Sequence, residues 1–532
     1  MRYIALIAAA VATVLFGLAS WILPRYFGLF FVIAAVFLIM GLRDLFQSEH
    51  SLLRNYPLLA HFRWFFEAVR PEIRQYLIES DTEAAPFSRE SRSQVYARAK
   101  GDNDSDPFGT ELNVYAEGHE WLVHSIAARE PAETPPRILI GGPNCTQPYS
   151  ASTLNISAMS FGSLSANAIS ALNKGAAKGG FFHDTGEGSV SKYHREHGGD
   201  LVWELGSGYF GCRAKDGSFD RAQFVDNAAD DQIKMIEIKL SQGAKPGHGG
   251  VLPGAKVTPE IAEARGIEVG QTCASPPYHS AFSTPIEMME FIADLREGAN
   301  GKPVGFKLCI GHGWQFMSLA KAMLKTGITP DFIVIDGAEG GTGAAPLELA
   351  DNVGTPLREG LVWAHNTLVG AGLRERIRLG ASGKITSGFR MASNMALGAD
   401  WCNSARGFMF ALGCVQSESC HTDRCPVGVA TQNAWRQRAL VVPDKAERVF
   451  HFHRATVAAM QEVVATVGLD HPGQLAPEHL CRRTHDSEIQ TADQVYRFLA
   501  TGELLVSNRA GRYEAAWARA QAASFLPRSQ AA

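Results

Sequence analysis

Arg376–Gly388 reads "RIRLGASGKITSG", and after eleven further residues Asp400–Gly407 reads "DWCNSARG". Each is a short β-rich run ending in a glycine-rich or polar turn, with a helix-length stretch between the two. Strands buried on both faces read as near-continuous apolar runs, and their alternation with helices implies parallel βαβ units. Working outward, the pattern recurs in "LNISAMS" from Leu154, "GGFFHDTGEG" from Gly179, "MIEIKLSQGA" from Met235, "PVGFKLCIG" from Pro303 and "DFIVIDGAEGG" from Asp331. Seven or eight such units predict an α/β fold, a (β/α)8 TIM barrel, whose chemistry sits on the loops after the strands. The polar residues agree: Ser160, Glu187, Lys239, Gln242, Lys245, Lys307, Asp336 and Arg406 fall at successive strand ends. A doubly wound sheet would gather them at one switch point instead.

The two terminal turns also predict a ligand class. Barrels of this kind bind phosphate at the last two strand ends, through backbone N–H groups of glycine turns and a helix N-terminus. Gly383, Ser387, Gly388 and Gly407 are the candidates, because a glycine lets backbone come close to an oxygen. "GAEGGTGAAP", Gly337–Pro346, adds a flexible loop suited to lie against a flat ring, with Gly340 and Gly341 inside it.

Beyond the last strand, "CVQSESCHTDRCPVGVATQ", Cys414–Gln432, spaces three cysteines as C-x5-C-x4-C. The spacing is too loose for the paired CxxC arms of a zinc ribbon, and no fourth partner is near. Three thiolates converging on one object suggest an iron–sulfur cluster. Three unrelated core cysteines are the alternative, since a free thiol buries like a small hydrophobe. Nine cysteines in 532 residues do not make a disulfide scaffold.

The net charge of −4, from 50 basic and 54 acidic residues, gives no sign of a nucleic-acid partner, and no basic arm or long charge run appears. The N-terminus differs from everything after it. Ile4–Leu23 is 20 residues without a charge, and Tyr26–Leu42 is a second apolar run of 17 after the break at Pro24. Such lengths span a bilayer, which predicts a transmembrane helical hairpin; a signal peptide would leave the second run unexplained. Then "HFRWFFEAVRPEIRQYL", His61–Leu77, reads as an amphipathic helix near the interface. The expected organisation is two transmembrane helices over 1–48, an amphipathic and linker region over 49–150, the barrel with its cysteine segment over 151–440, and a C-terminal helical region over 441–532. Two spans return the barrel to the side of the N-terminus, and an exposed iron–sulfur domain favours the cytoplasmic side of the inner membrane.

"SAMSFGSLS", "TGEGS", "IKLSQGAKPGHGG", "LPGAKV", "GGTGAAPL", "HNTLV" and "LGCVQSESCHTDRCPVGVATQ" run in this order between about Asn155 and Gln432. Together they resemble the FMN-binding synthase domain of glutamate synthase. The resemblance implies two cofactors: FMN, and a 3Fe-4S cluster held by Cys414, Cys420 and Cys425. It implies an oxidoreductase that passes reducing equivalents from the cluster through FMN to the imine of 2-oxoglutarate and ammonia, giving L-glutamate. Lys307 is expected at the flavin N1–C2=O edge, which gains negative charge on reduction. Met159, Ser160, Gly340, Gly341, Gly383, Ser387, Gly388, Arg406 and Gly407 are expected to hold the cofactor. Lys245, with Lys239 in the same stretch, is expected to stabilise a substrate carboxylate or carbonyl oxygen, and Glu187 to orient ammonia or relay protons. Gln242, Arg265 and His279 are assigned to substrate binding. Arg265 can hold a carboxylate bidentately, although an arginine in "IAEARGI" can equally be a helix-surface residue.

Departures from the family pattern narrow these expectations. Where the family usually has "SPPPHHDIYS", this chain has "SPPYHSAFST", Ser275–Thr284, and His248 replaces the acid of "KPGEGG". Recognition of 2-oxoglutarate is thereby opened to other 2-oxo or amino acids. The chain starts "MRYIAL" and its first cysteine is Cys145, so the N-terminal cysteine of the family's glutaminase is not expected, and free ammonia is the expected nitrogen source. No GxGxxG opens a strand–turn–helix unit, so electrons are expected from a redox donor such as a ferredoxin or a membrane redox protein. A membrane-bound electron-transfer module is the remaining alternative. Lys245, Glu187 and Arg265 favour an enzyme, since a relay needs only its cofactor contacts.

Overall fold

Eight parallel strands follow one another in the computed structural model: β1 Leu154–Ile156, β2 His183–Asp184, β3 Leu201–Leu205, β4 Ile233–Lys239, β5 Val304–Leu308, β6 Phe332–Asp336, β7 Arg378–Ser382 and β8 Trp401–Ser404. Each pairs with the next, and β8 pairs with β1, closing a barrel. The structure describes residues 2–105, 107–485, 488–506 and 511–528. Six strands fall within the quoted runs, and a seventh, β4, begins two residues before its run. The eighth, β3, is "LVWEL", buried throughout. It follows β2 after a helix of only four residues, Lys192–Arg195, so the helix-length spacer that marks the other units is absent there.

The barrel interior is layered. Near the N-terminal ends of the strands, Phe182, Val202, Met235, Val334 and Trp401 form an apolar cluster with Ile140, Tyr149 and Ala151. The last three come from the antiparallel pair Arg137–Ile140 and Tyr149–Ser152. Side chains alternate along a strand, so residues two further on share the inward face. Those residues are Asp184, Glu204, Glu237 and Asp336, and Lys307 of β5 joins them. The first three and Lys307 are buried. Branched apolar side chains normally fill such layers; here one layer is charged.

The helix Ala166–Gly179 follows β1 and is capped by Ser165, whose side chain accepts from Ala168 N. Gly388–Ala396 connects β7 to β8. The 26-residue helix Val442–Val467 packs across both. Glycines permit the close approach: a Cβ at Gly175 would lie 2.5 Å from Val449 Cγ1, and one at Gly388 would lie 2.4 Å from Met460 N. The chain divides at Arg89/Glu90 into two compact units. The 441–532 segment therefore belongs to the barrel's unit rather than standing apart. Nor is it wholly helical, because Leu480–Arg483 pairs antiparallel with both Glu120–Leu122 and Ile489–Thr491.

In the N-terminal unit, the helices Ile4–Ile22 and Pro24–Phe46 are long and apolar enough to cross a membrane. Phe16 stacks on Phe27 and Phe30, with centroids 6.4 and 5.6 Å apart. Pro24 opens the second helix, where its missing N–H costs nothing. Asp44, buried near the end of that helix, accepts from Leu58 N at 3.0 Å and meets His61 Nε2 at 2.9 Å. These contacts fix the start of the helix His61–Ile73.

Candidate active site

A pocket opens at the C-terminal ends of the strands. Met159 and Ser160 reach it after β1, Gly186 and Glu187 after β2, Glu204 from β3, and Lys239, Gln242 and Lys245 from the end of β4 and its loop. Gly341 after β6, Arg406 after β8 and Cys420 complete the wall. The structure thus brings Met159, Ser160, Glu187, Lys239, Gln242, Lys245, Gly341, Arg406 and Cys420, all singled out from the sequence, to one place.

Glu187 and two lysines form its polar centre. Glu187 Oε2 lies 3.2 Å from Lys239 Nζ. Its side chain runs so close to Gly250 that a Cβ there would sit 1.9 Å from Oε1. Burial alone would raise the Glu187 pKa, but Lys239, Arg265 and Lys245 outweigh it and hold the group below its ordinary value. Lys245 Nζ donates to Gly249 O at 3.3 Å. Burial lowers the Lys245 pKa, with the Glu187 charge opposing. A lysine displaced toward neutrality beside a held carboxylate suits proton transfer and the binding of an anionic or carbonyl oxygen.

Arg265 is not a surface residue. It is buried, and Nη2 donates to Ser160 Oγ at 3.3 Å and Phe161 O at 3.2 Å. Its guanidinium carbon lies 5.2 Å from the Phe210 ring centroid. It stands behind the wall and acts on the pocket through Ser160 and its charge on Glu187. His279 also stands behind. Its ring nitrogens meet Lys239 O at 2.8 Å and Tyr209 Oη at 3.1 Å, and burial pushes its pKa down to about 4. Its open side faces a separate apolar cavity of about 950 Å³ that Tyr278, Phe282, Leu308 and Phe316 also line.

Lys307 lies beneath the pocket rather than on its wall. Its ammonium pairs with Glu204 Oε2, with Glu237 Oε1 at 3.2 Å and with Asp184 Oδ2 at 4.0 Å. Three acids from neighbouring strands hold it inside the barrel. Those acids were not singled out from the sequence, although each sits two residues beyond an inward apolar residue.

The terminal glycine turns do several jobs. Arg406 Nη2 donates to Thr342 O at 3.0 Å, and a Cβ at Gly341 would lie 3.1 Å from Arg406 Nε, so arginine braces the glycine loop. A Cβ at Gly340 would sit 3.0 Å from Gly337 O. Ser387 caps Gly388–Ala396 by accepting from Arg390 N. Gly388 and Gly407 have packing reasons to lack a side chain: the first touches Met460, and a Cβ on the second would lie 2.5 Å from Ser404 Oγ. Gly383 has φ +151°. None of Gly340, Gly383, Ser387, Gly388 and Gly407 is among the pocket's lining residues.

Cys414, Cys420 and Cys425 are free thiols, the first and last buried and Cys420 reaching the pocket. Burial pushes the Cys414 thiol up to about 11, Arg406 opposes, and the charges of Cys420 and Cys425 add to the rise. The three therefore share one electrostatic neighbourhood. Lys256, also not singled out from the sequence, stands among them: its buried ammonium donates to Cys420 O at 2.8 Å and Ala430 O at 3.2 Å. Three free thiols beside a buried cation suit an anionic iron–sulfur cluster. Facing backbone at Ala158–Ser160 and Gly341–Gly343 suits a flat ring.

Fold and pocket together define a (β/α)8 barrel with its site at the C-terminal mouth. Residues 137–470 match the sequence family described as the conserved region in glutamate synthase. The chain is 36% identical over 529 residues to the glutamate synthase large subunit-like protein YerD of Bacillus subtilis, covering 92% of this chain and 100% of that protein. It is 34% identical over 315 residues to the archaeal-type glutamate synthase (NADPH) of Thermotoga neapolitana, 59% of each chain. Against the glutamate synthase (NADPH) large chain of Bacillus subtilis it is 35% identical over 340 residues, 60% of this chain and 21% of that one. The chain belongs to the glutamate synthase family of oxidoreductases.

Proposed function

We propose that this chain holds FMN in the pocket and a 3Fe-4S cluster on Cys414, Cys420 and Cys425, and reduces the imine formed from a 2-oxo acid and ammonia, 2-oxoglutarate giving L-glutamate. The observation that carries the reading is one pocket in which Glu187, Lys239 and Lys245 face the Gly341–Arg406 wall and Cys420. When bound, the flavin and the cluster supply hydride and single-electron chemistry.

The chain's own residues do the rest. Met159, Ser160 and the Gly340–Gly341 loop bed the ring, with Arg406 bracing the loop. The Gly383–Gly388 turn and Gly407, at the ends of β7 and β8 and outside the pocket's lining, would take the phosphate. Lys245 and Gln242 bind the acid's carboxylate and carbonyl oxygens. Glu187, kept ionised by Lys239 and Arg265, orients ammonia and accepts its proton at a carboxylate oxygen as the C–N bond forms, while the carbonyl oxygen takes a proton from Lys245 and leaves as water when the imine forms. Electrons come from a redox donor, a ferredoxin or a membrane redox protein, and the N-terminal hairpin anchors the barrel at the cytoplasmic face of the inner membrane. The altered Ser275–Thr284 stretch favours a second reading, in which the substrate is another 2-oxo or amino acid.

Anaerobic purification in detergent, acid extraction of the flavin and low-temperature EPR test the cofactors. FMN and one three-iron signal are expected, and Cys420→Ser should lose the signal while the barrel still folds. Zinc in place of iron, or no flavin, sinks the assignment. Reoxidation of the reduced protein by 2-oxo acids with ammonium then identifies the substrate.

A further inference from the structure

The charged layer inside the barrel holds more acid than base. Five successive strands contribute Asp184, Glu204, Glu237, Lys307 and Asp336, four carboxyl groups against one ammonium. One oxygen each of Asp184, Glu204 and Glu237 lies within 4.8 Å of the others, close enough to hold a cation, but the Lys307 ammonium already pairs with all three. Buried charge that finds no partner is neutralised instead.

Geometry shows where the proton sits. Carboxylate oxygens of Asp184 and Glu237 lie within 4.8 Å of one another and both side chains are buried, and like charges so close do not both ionise. Asp184 is already an acceptor, taking Gly186 N–H at 3.0 Å. Glu237 Oε1 is buried without a hydrogen-bond partner, with Lys307 Nζ standing 3.2 Å from it in the ion pair. Glu237, the acid with a buried oxygen left unsatisfied, is therefore the member that carries the proton. Asp336, at the far edge, is occupied as acceptor of Gly243 N–H at 2.8 Å. Burial raises Glu237, and the Asp184 and Glu204 charges add to it while Lys307 opposes. Glu204 is the one member that both pairs with Lys307 and lines the pocket, and its register places it directly beside Glu237.

We propose that this layer is a proton-binding site, holding one proton on the Asp184–Glu237 pair at neutral pH, with Glu204 as the positioning residue through which charge in the pocket controls it. Negative charge arriving in the pocket draws Lys307 away from Glu204, and the carboxylate freed takes one proton from solvent. Removal of that charge reverses both moves. No electron or bond other than the O–H is involved. The proton store stands on the barrel alone, whereas its coupling rests on the flavin reading above.

Two measurements separate these parts. Infrared spectroscopy of the full chain in detergent should show a protonated carboxyl band near neutral pH. Glu237→Gln should lose the band, and Asp184→Asn should keep it because the introduced amide still offers an acceptor oxygen. A wild-type spectrum without the band, or a band that survives in Glu237→Gln, overturns the store. In the flavin-loaded protein, the pH dependence of the flavin midpoint potential should be steeper in wild type than in Glu204→Gln. The difference corresponds to one proton per two electrons, tenfold in the reduction equilibrium per pH unit. Equal slopes overturn the coupling, a readout that a merely structural Glu204 would not move. A protein without flavin would refute the cofactor reading and the coupling with it, while the infrared result still decides the store.

Discussion

Replacing Lys307 by Met removes the only ammonium from a layer of four carboxyl groups while keeping the volume of the side chain. At an effective dielectric constant of about 20, the unit charge pair with Asp184 at 4.0 Å is worth roughly 4 kcal/mol, and the pair with Glu204 adds to it. Desolvation of the ammonium offsets much of this. Breaking a buried pair from one side nevertheless costs about 3–5 kcal/mol, because it strands the partners. For a unit of this size that corresponds to a fall in melting temperature of roughly 5 °C. The loss should depend on pH. Burial raises Asp184 to about 7, Glu204 adds to the rise, and Lys307 holds it down. Its folded value exceeds its unfolded one, so its contribution is fully present below the unfolded carboxylate range and is lost as pH rises through about 7. Without Lys307 the carboxyls rise further, and the folded protein must carry extra protons, each adding about 1.4 kcal/mol of destabilisation per pH unit. Thermal melts of the detergent-purified chain at about pH 6 and about pH 8 should show the larger deficit at the higher pH. A deficit equal at both, or none, would refute the account of the layer.

Lys245→Ala should lower kcat/KM by about 10²-fold or more, as loss of a charge-stabilising donor does elsewhere, with little change in melting temperature; steady-state assay with an artificial reductant decides it. Arg265→Met removes one of the charges that hold Glu187 low. The acid limb of the activity profile, set by ionisation of Glu187, should therefore move to higher pH, and an unmoved limb counts against the role given to Glu187. Gly388→Val forces methyl groups onto the Met460 backbone and should cost about 1–3 kcal/mol, seen as a lower melting temperature and faster proteolysis within Val442–Val467. The intact chain should resist carbonate extraction from membranes, and deletion of residues 1–48 should release it. Extraction of the intact chain without detergent would contradict the anchor.

The barrel was legible in the sequence because buried parallel strands impose a local signature, apolar runs closed by polar turns, and seven of the eight announced themselves that way. The pocket's own residues were legible for the same reason: Ser160, Glu187, Lys239, Lys245 and Arg406 follow strands, and strand ends of a barrel converge. The two apolar helices follow from composition alone. β3 was hidden by its short spacer, and with it Glu204. His279 and Arg265 turned out to stand behind the wall, and Gly388 and Gly407 to admit neighbouring backbone and side chains, because each depends on partners far along the chain. The charged layer lay wholly beyond local pattern. An acid on one strand reads like any other polar residue; only closure of the barrel, in this register, puts Asp184, Glu204 and Glu237 around the single ammonium of Lys307. Local periodicity decides which way a side chain faces, but the company it keeps there is decided by strands that meet only when the sheet closes on itself.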